Sequence, residues 1–173
     1  MKQITWIALG YNVPINPSKN RVYVWRKLKE CGAGYFKHGV AILPMNTQSV
    51  AQFRSLAVKI REMGGDATMA ELKFCDSRDE ANTVKWFEQQ SEMEYRKLIS
   101  DCAKTVEKLH SDILSAGKDE IAKKIGKQYK KALDRDYFKY RKNKNVSATL
   151  DELFGDMANA TNELIAFSKR GRK

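Results

Sequence analysis

Residues 35–44 read YFKHGVAILP, and the fold turns on that stretch. Residues 35–37 and 40–43 flank His38-Gly39, the spacing of a tight β-hairpin, and Pro44 closes the second strand. Upstream, residues 4–11 (ITWIALGY) form a short apolar run that stops at Asn12-Val13-Pro14, the length of a buried strand. Between that strand and the hairpin, residues 14–18 (PINPS) read as a turn with Ser18 as a helix N-cap. Residues 21–29 then read as a helix with Val24, Trp25 and Leu28 on its packed side, ended by Gly32-Ala33-Gly34. Downstream, residues 47–63 place Val50, Phe53, Leu56, Ala57 and Ile60 at three- and four-residue steps, an amphipathic helix. Gly64-Gly65-Asp66 is a turn, and residues 67–74 supply the last strand. The order β-α-β-β-α-β predicts an α+β, ferredoxin-like domain over residues 1–76: a four-stranded antiparallel sheet with two helices on one face.

Residues 77–168 read as a three-helix extension. In residues 83–115, Tyr95, Ile99, Cys102, Val106, Leu109 and Ile113 step by four and three, a heptad-like seam that ends at Gly117. Residues 118–140 carry Ile121, Ile125, Tyr129, Ala132 and Leu133 on one face, and residues 143–145 break the pattern. A third helix is expected from about Thr149, with Asp151 and Glu152 in its first turn, where the helix dipole favours acids. Its apolar residues include Leu150, Leu153, Phe154, Met157, Leu164 and Ile165. Three such helices with short connections form an antiparallel helical region. Residues 169–173 are a basic tail.

The 173 residues are 42% hydrophobic and 10% aromatic, enough for a buried core. Three prolines and ten glycines exclude the Pro-rich and Gly-rich classes. Lys and Arg number 32 against 21 Asp and Glu, a net charge of +11 that points to a polyanionic partner. Cys31, Cys75 and Cys102 are odd in number and widely spaced, and with only His38 and His110 they form no local zinc pattern, so buried or half-buried reduced thiols are expected. No signal peptide or membrane-spanning run is readable, so the expected compartment is the cytoplasm.

Positive charge is uneven. Residues 118–144 hold eleven Lys and Arg against Asp119, Glu120, Asp134 and Asp136. Lys123, Lys127, Lys130 and Lys131 fall opposite Ile121, Ile125 and Tyr129, and with Lys124 and Arg135 form a ridge that could follow a phosphate backbone, most simply of double-stranded DNA. Asp134 and Asp136, set among lysines, read as solvated ion-pair partners. A second basic set, Arg21, Arg26 and Lys27, lies on the 21–29 helix, where Trp25 reads as core. Arg21 near a helix start, where the dipole disfavours a cation, points to a contact with an internal acid or an external oxyanion. Ser18 and Arg21 are the best oxyanion site readable here; the alternative is that Ser18 only caps the helix and Arg21 pairs internally. No P-loop, Rossmann glycine fingerprint, GxSxG or HExxH motif is present, and His38 and His110 read as surface residues. No catalytic residue, metal site or cofactor is expected.

The stretches TWIALGY, PSKNRVYVWRKLKECGA and GVAILP within residues 5–44 resemble the N-terminal domain of the ChrB-type chromate-resistance regulators. The likeness continues through GGDA at 64–67 and into IAKKIGKQYKKALDRDYF at 121–138, a basic helix ending in an Asp-aromatic-Phe signature. The resemblance implies a ferredoxin-like domain followed by helices, a link to chromate-responsive transcriptional control, and chromate as a possible effector. Longer members carry a second domain, so this chain reads as a stand-alone version. The first domain is also similar to the central module of PaaX-type repressors and to small CRISPR adaptation nucleases. Those nucleases place a metal-binding Asp just after the first strand, where this chain has Leu9-Gly10-Tyr11-Asn12, so metal-dependent cleavage is not expected. The expected function is a non-enzymatic, DNA-associated regulatory protein, homodimeric. The alternatives are a protein–protein dimerisation module without DNA binding and a degenerate nuclease.

Overall fold

Gly39 takes φ 74°, a left-handed conformation that glycine adopts at no steric cost, and turns the chain between β2 (Gly34–Lys37) and β3 (Val40–Pro44). A Cβ there would come within 2.9 Å of the Tyr11 carbonyl oxygen. The hairpin strands pair antiparallel, with an irregularity between Tyr35 and Lys37. This computed structural model describes residues 3–110 and 118–160. β1 (Trp6–Asn12) lies between β3 and β4 (Asp66–Leu72), antiparallel to both, giving the sheet order β2-β3-β1-β4. With α1 (Ser18–Glu30) after β1 and α2 (Thr47–Glu62) after β3, the first six elements run β-α-β-β-α-β. The helices α3 (Ser77–His110), α4 (Lys118–Arg135) and α5 (Lys144–Ala160) follow, with a short 3-10 turn, Tyr140–Lys142, before the last. The protein is α+β, with one four-stranded antiparallel sheet and five α-helices among the described residues.

The chain divides into two compact units, Met1–Trp86 and Phe87–Lys173. In the first, Leu9 opposes Ala41 across the β1–β3 ladder, and Ile7 opposes Leu43. These four residues are buried, as are Val24 and Leu28 of α1 and Phe53, Leu56, Ala57 and Ile60 of α2. α2 packs on β1 and β4. A capping box opens α2: Asn46 Oδ1 accepts from the Ser49 N–H at 2.8 Å, and Ser49 Oγ accepts from the Asn46 N–H at 2.9 Å. The unit boundary falls within α3, beyond the expected limit at residue 76. Glu80 in the first turn of α3 accepts from the Ile4 N–H at 3.2 Å and from Trp6 Nε1 at 3.3 Å, which ties that turn to the strand.

Helix ends depart most from expectation. α1 begins at Ser18, three residues early; Pro17 holds the cap position, and Ser18 is not the N-cap. α3 begins at Ser77 because the Asp76 carboxylate accepts the Arg78 N–H at 2.8 Å and Asp79 and Glu80 complement the dipole in the first turn. α4 ends at Arg135, short of residue 140. α5 begins at Lys144, capped by Asn143 Oδ1, which accepts the Asn145 N–H at 3.1 Å. Asp151 and Glu152 therefore lie in its second turn or beyond. Trp25 is not core: it is 51% exposed, because α1 buries only the narrow Val24–Leu28 stripe.

In the second unit, Tyr95, Leu98 and Cys102 of α3, Ile125, Tyr129 and Ala132 of α4, and Leu150 and Phe154 of α5 form one buried cluster. Tyr129 meets Phe154 edge-on at 4.9 Å between ring centroids. The seam is realised at Tyr95, Ile99, Cys102 and Val106. The side chains of Leu109, Ile121 and Met157, and the whole of Ile113, Gly117, Leu164, Ile165 and residues 169–173, lie outside the described residues. No helix among those described is long and apolar enough to cross a membrane.

Candidate functional site

With 3.6 residues per turn, burying Ile125, Tyr129 and Ala132 of α4 turns positions 123, 127 and 130 directly outward. Lys123, Lys124, Lys127, Lys130 and Lys131 are all exposed. Lys123, Lys127 and Lys130 form the crest, which Asp134 continues. The flank that faces α3 is different. Lys131 and Arg135 line a cleft of about 200 Å³ with Glu94, Lys97 and Asp101. Arg135 Nη1 meets Glu94 Oε1 at 2.6 Å in a partly buried ion pair. Arg135 thus contributes to packing α4 on α3, unlike the crest lysines.

Asp136 is a junction rather than a solvated ion-pair partner. Its carboxylate accepts the Tyr95 hydroxyl at 3.1 Å, the Tyr140 N–H at 2.6 Å and the Arg141 N–H at 2.7 Å. These bonds close the turn that ends α4, helped by Lys139 at φ 61°. Burial and the adjacent Asp136 charge push the Tyr95 hydroxyl pKa far above its ordinary value. Arg141, 7% exposed, donates from Nε to the Tyr129 hydroxyl at 3.2 Å and from Nη2 to Asp151 Oδ1 at 2.9 Å. Burial opposes its charge, and Tyr129 and Asp151 more than offset it, leaving the pKa raised. The lysine crest is therefore carried on a helix fixed at its C-terminal end by a satisfied polar network. Sequence reasoning misses this network; its one signal is an Asp-aromatic-Phe step at the end of a helical pattern.

In the first unit, Ser18, Arg21, Val22 and Trp25 of α1 line a groove of about 700 Å³ with Tyr11, Asn12, Val13, Ile15 and Gly39. The first turn of α1 carries no acid. Among the described residues, neither the Ser18 nor the Arg21 side chain has a hydrogen-bond or ion-pair partner, so Arg21 is not held by an internal acid. Lys27 pairs with Glu30 at 2.7 Å, while Arg26 is exposed. Lys29 Nζ lies 4.7 Å from the Trp25 ring centroid.

The model of the protein family described as "Protein ChrB, N-terminal" matches residues 21–169. The chain belongs to the ChrB N-terminal family. That family associates it with chromate resistance. The ChrB N-terminal match runs from Arg21 in α1 through α5, and so takes in the lysine crest, the Asp136 junction and most of the α1 wall of the groove; β1 precedes it. No curated protein and no solved structure matches. In this ChrB N-terminal chain none of the three cysteines is in a disulfide; Cys31 and Cys102 are buried, whereas Cys75 is exposed, contrary to expectation. Burial pushes the Cys102 thiol up to about 12, with the Asp101 charge adding to it. Cys31 donates to the Leu28 carbonyl oxygen at 3.2 Å. His38 is exposed at the hairpin tip. Among the described residues no group of three or more His, Cys, Asp or Glu side chains could hold a metal ion.

Proposed function

We propose that this chain is a non-enzymatic, DNA-associated regulatory protein of the chromate response, and that α4 is its phosphate-contacting element. The observation that carries the reading is the exposed crest Lys123–Lys127–Lys130, flanked by Lys124, on a helix whose opposite face buries Ile125, Tyr129 and Ala132. Lysines at one-turn intervals on a rigid rod suit a line of phosphates, and each contact releases counterions on binding. Such contacts give affinity without base reading. Arg26 of α1 supplies a second, weaker contact, and Lys131 a flanking one. The element order and the strand order β2-β3-β1-β4 support a ferredoxin-like reading of the first unit, and the cluster shared by α3, α4 and α5 supports an antiparallel helical region. In a homodimer the crest would occur twice along one duplex. Arg21 and Ser18 would hold an oxyanion weakly and without distinguishing chromate from sulfate, since the two share charge and shape. Titration of duplex DNA at two salt concentrations tests the reading. It expects retention that falls steeply with salt and no cleavage with Mg²⁺ or Mn²⁺. Dimerisation without DNA retention favours the interaction-module reading, and metal-dependent cleavage the nuclease reading.

A further inference from the structure

The groove beside α1 is larger and more apolar than a tetrahedral dianion requires. Its volume of about 700 Å³ lies within the range that encloses organic ligands, roughly 300–1,000 Å³. Val13, Ile15, Val22 and Trp25 give the groove an apolar wall, with the buried Val24 beneath it. Ile15 is 72% exposed and Trp25 51% exposed, a large apolar cost in water unless something covers them. Arg21 and Trp25 are four residues apart on α1, so guanidinium and indole are neighbours on one face of the helix. Lys29, one further turn along, stands over the Trp25 ring. Lys19, Arg21, Arg26, Lys27 and Lys29 share α1 with a single acid, Glu30, which is paired with Lys27. Among the described residues that line the groove Arg21 alone is charged, so its cation selects an anion and the apolar wall selects an organic one.

We propose that this groove is a binding site for a small aromatic oxyanion, a planar ring carrying a carboxylate or phosphate, with the ring against Trp25 and the anionic group on Arg21 and Ser18. A guanidinium without an internal partner holds such a group bidentately. Inorganic sulfate or chromate would use only Arg21 and Ser18 and leave the apolar wall wet, which is why either binds weakly. The ring adds the difference. The inference rests on Arg21 as the anion position, as in the function proposed above, and adds Trp25 as the residue that sets specificity.

Calorimetry on the full chain with phenyl phosphate and with inorganic phosphate tests it. Phenyl phosphate should bind about tenfold tighter, the gain expected of one aromatic stack. Trp25→Ala should remove that preference and leave inorganic phosphate unchanged. Trp25 is half exposed, so the fold should survive, and circular dichroism checks that it does. Arg21→Ala should weaken both ligands; if it weakens neither, the anion position itself is wrong. Equal binding of the two ligands, or a preference that survives Trp25→Ala, overturns the proposal while leaving the oxyanion reading intact. Benzoate in place of phenyl phosphate separates the carboxylate from the phosphate. A concentration-dependent dimer that abolishes phenyl phosphate binding would assign the groove to a second copy instead.

Discussion

Replacing Asp136 by Ala should destabilise the second unit by about 3–5 kcal/mol. Three donors converge on this carboxylate: the Tyr95 hydroxyl, the Tyr140 N–H and the Arg141 N–H, at 3.1, 2.6 and 2.7 Å. Each bond to an ionised acceptor contributes roughly 1.5–3 kcal/mol when water cannot replace it. Asp136 and Tyr140 are only partly buried, so water recovers part of that stabilisation, and the lower end of the range applies to the two backbone bonds. Tyr95 is fully buried, and without Asp136 its hydroxyl is left with no carboxylate to donate to. The sum is a large share of the roughly 5–15 kcal/mol that stabilises a typical domain. Urea unfolding followed by circular dichroism measures it, with Asp134→Ala as the control. Asp134 is exposed, so its replacement should change stability by less than about 0.5 kcal/mol. A double-mutant cycle adds specificity: Tyr95→Phe should cost about 1 kcal/mol in the native background and much less once Asp136 is gone. Equal effects of Asp136→Ala and Asp134→Ala, or additivity of the Tyr95 and Asp136 changes, would refute the junction.

Gly65→Ala should destabilise the sheet unit by about 1–3 kcal/mol, because a Cβ would strike the Asn12 carbonyl oxygen and lie 2.9 Å from Ile60 Cγ2; unchanged urea midpoints would contradict this. Alkaline pH should destabilise the protein through Cys102. Its folded pKa is raised from 9.0 to about 12, so the unfolded state loses its proton first, and stability falls as pH rises from 9 toward 12 by up to about 1.4 kcal/mol per pH unit. Unfolding of the native chain and of Cys102→Ala at pH 8, 9 and 10 checks the sign, the variant having the shallower decline.

The order of the first six elements is legible in the sequence because its signals are local. Period-two runs, period-3.6 runs and the Gly39 and Pro44 punctuation lie within a few residues of what they specify. Helix ends are less legible because single side chains set them. The Asp76 and Asn143 caps extend α3 and α5 beyond the span of their apolar pattern, so the pattern alone starts both helices too late. Trp25 is misplaced by the pattern for a related reason. α1 buries only a stripe one turn apart, Val24 and Leu28, and Trp25, rotated by one position from Val24, stays in water despite its hydrophobicity. The crest lysines are readable from spacing, since exposure follows directly from where Ile125 and Tyr129 must point. The Arg135–Glu94 pair and the Tyr95–Asp136 bond join residues 41 apart in sequence, and the groove forms only where the 11–15 segment folds against α1, none of which a local pattern encodes.

The phosphate-contact role of α4 is tested most directly by the salt dependence of DNA binding in Lys123→Gln/Lys127→Gln/Lys130→Gln. The three positions face away from the buried cluster, so urea stability should match the native chain. The account predicts weaker binding to duplex DNA and a log–log salt slope shallower by about 0.9 for each phosphate that is no longer neutralised, close to three in all. An affinity and slope identical to those of the native protein would remove the lysine crest from the mechanism and contradict the central claim.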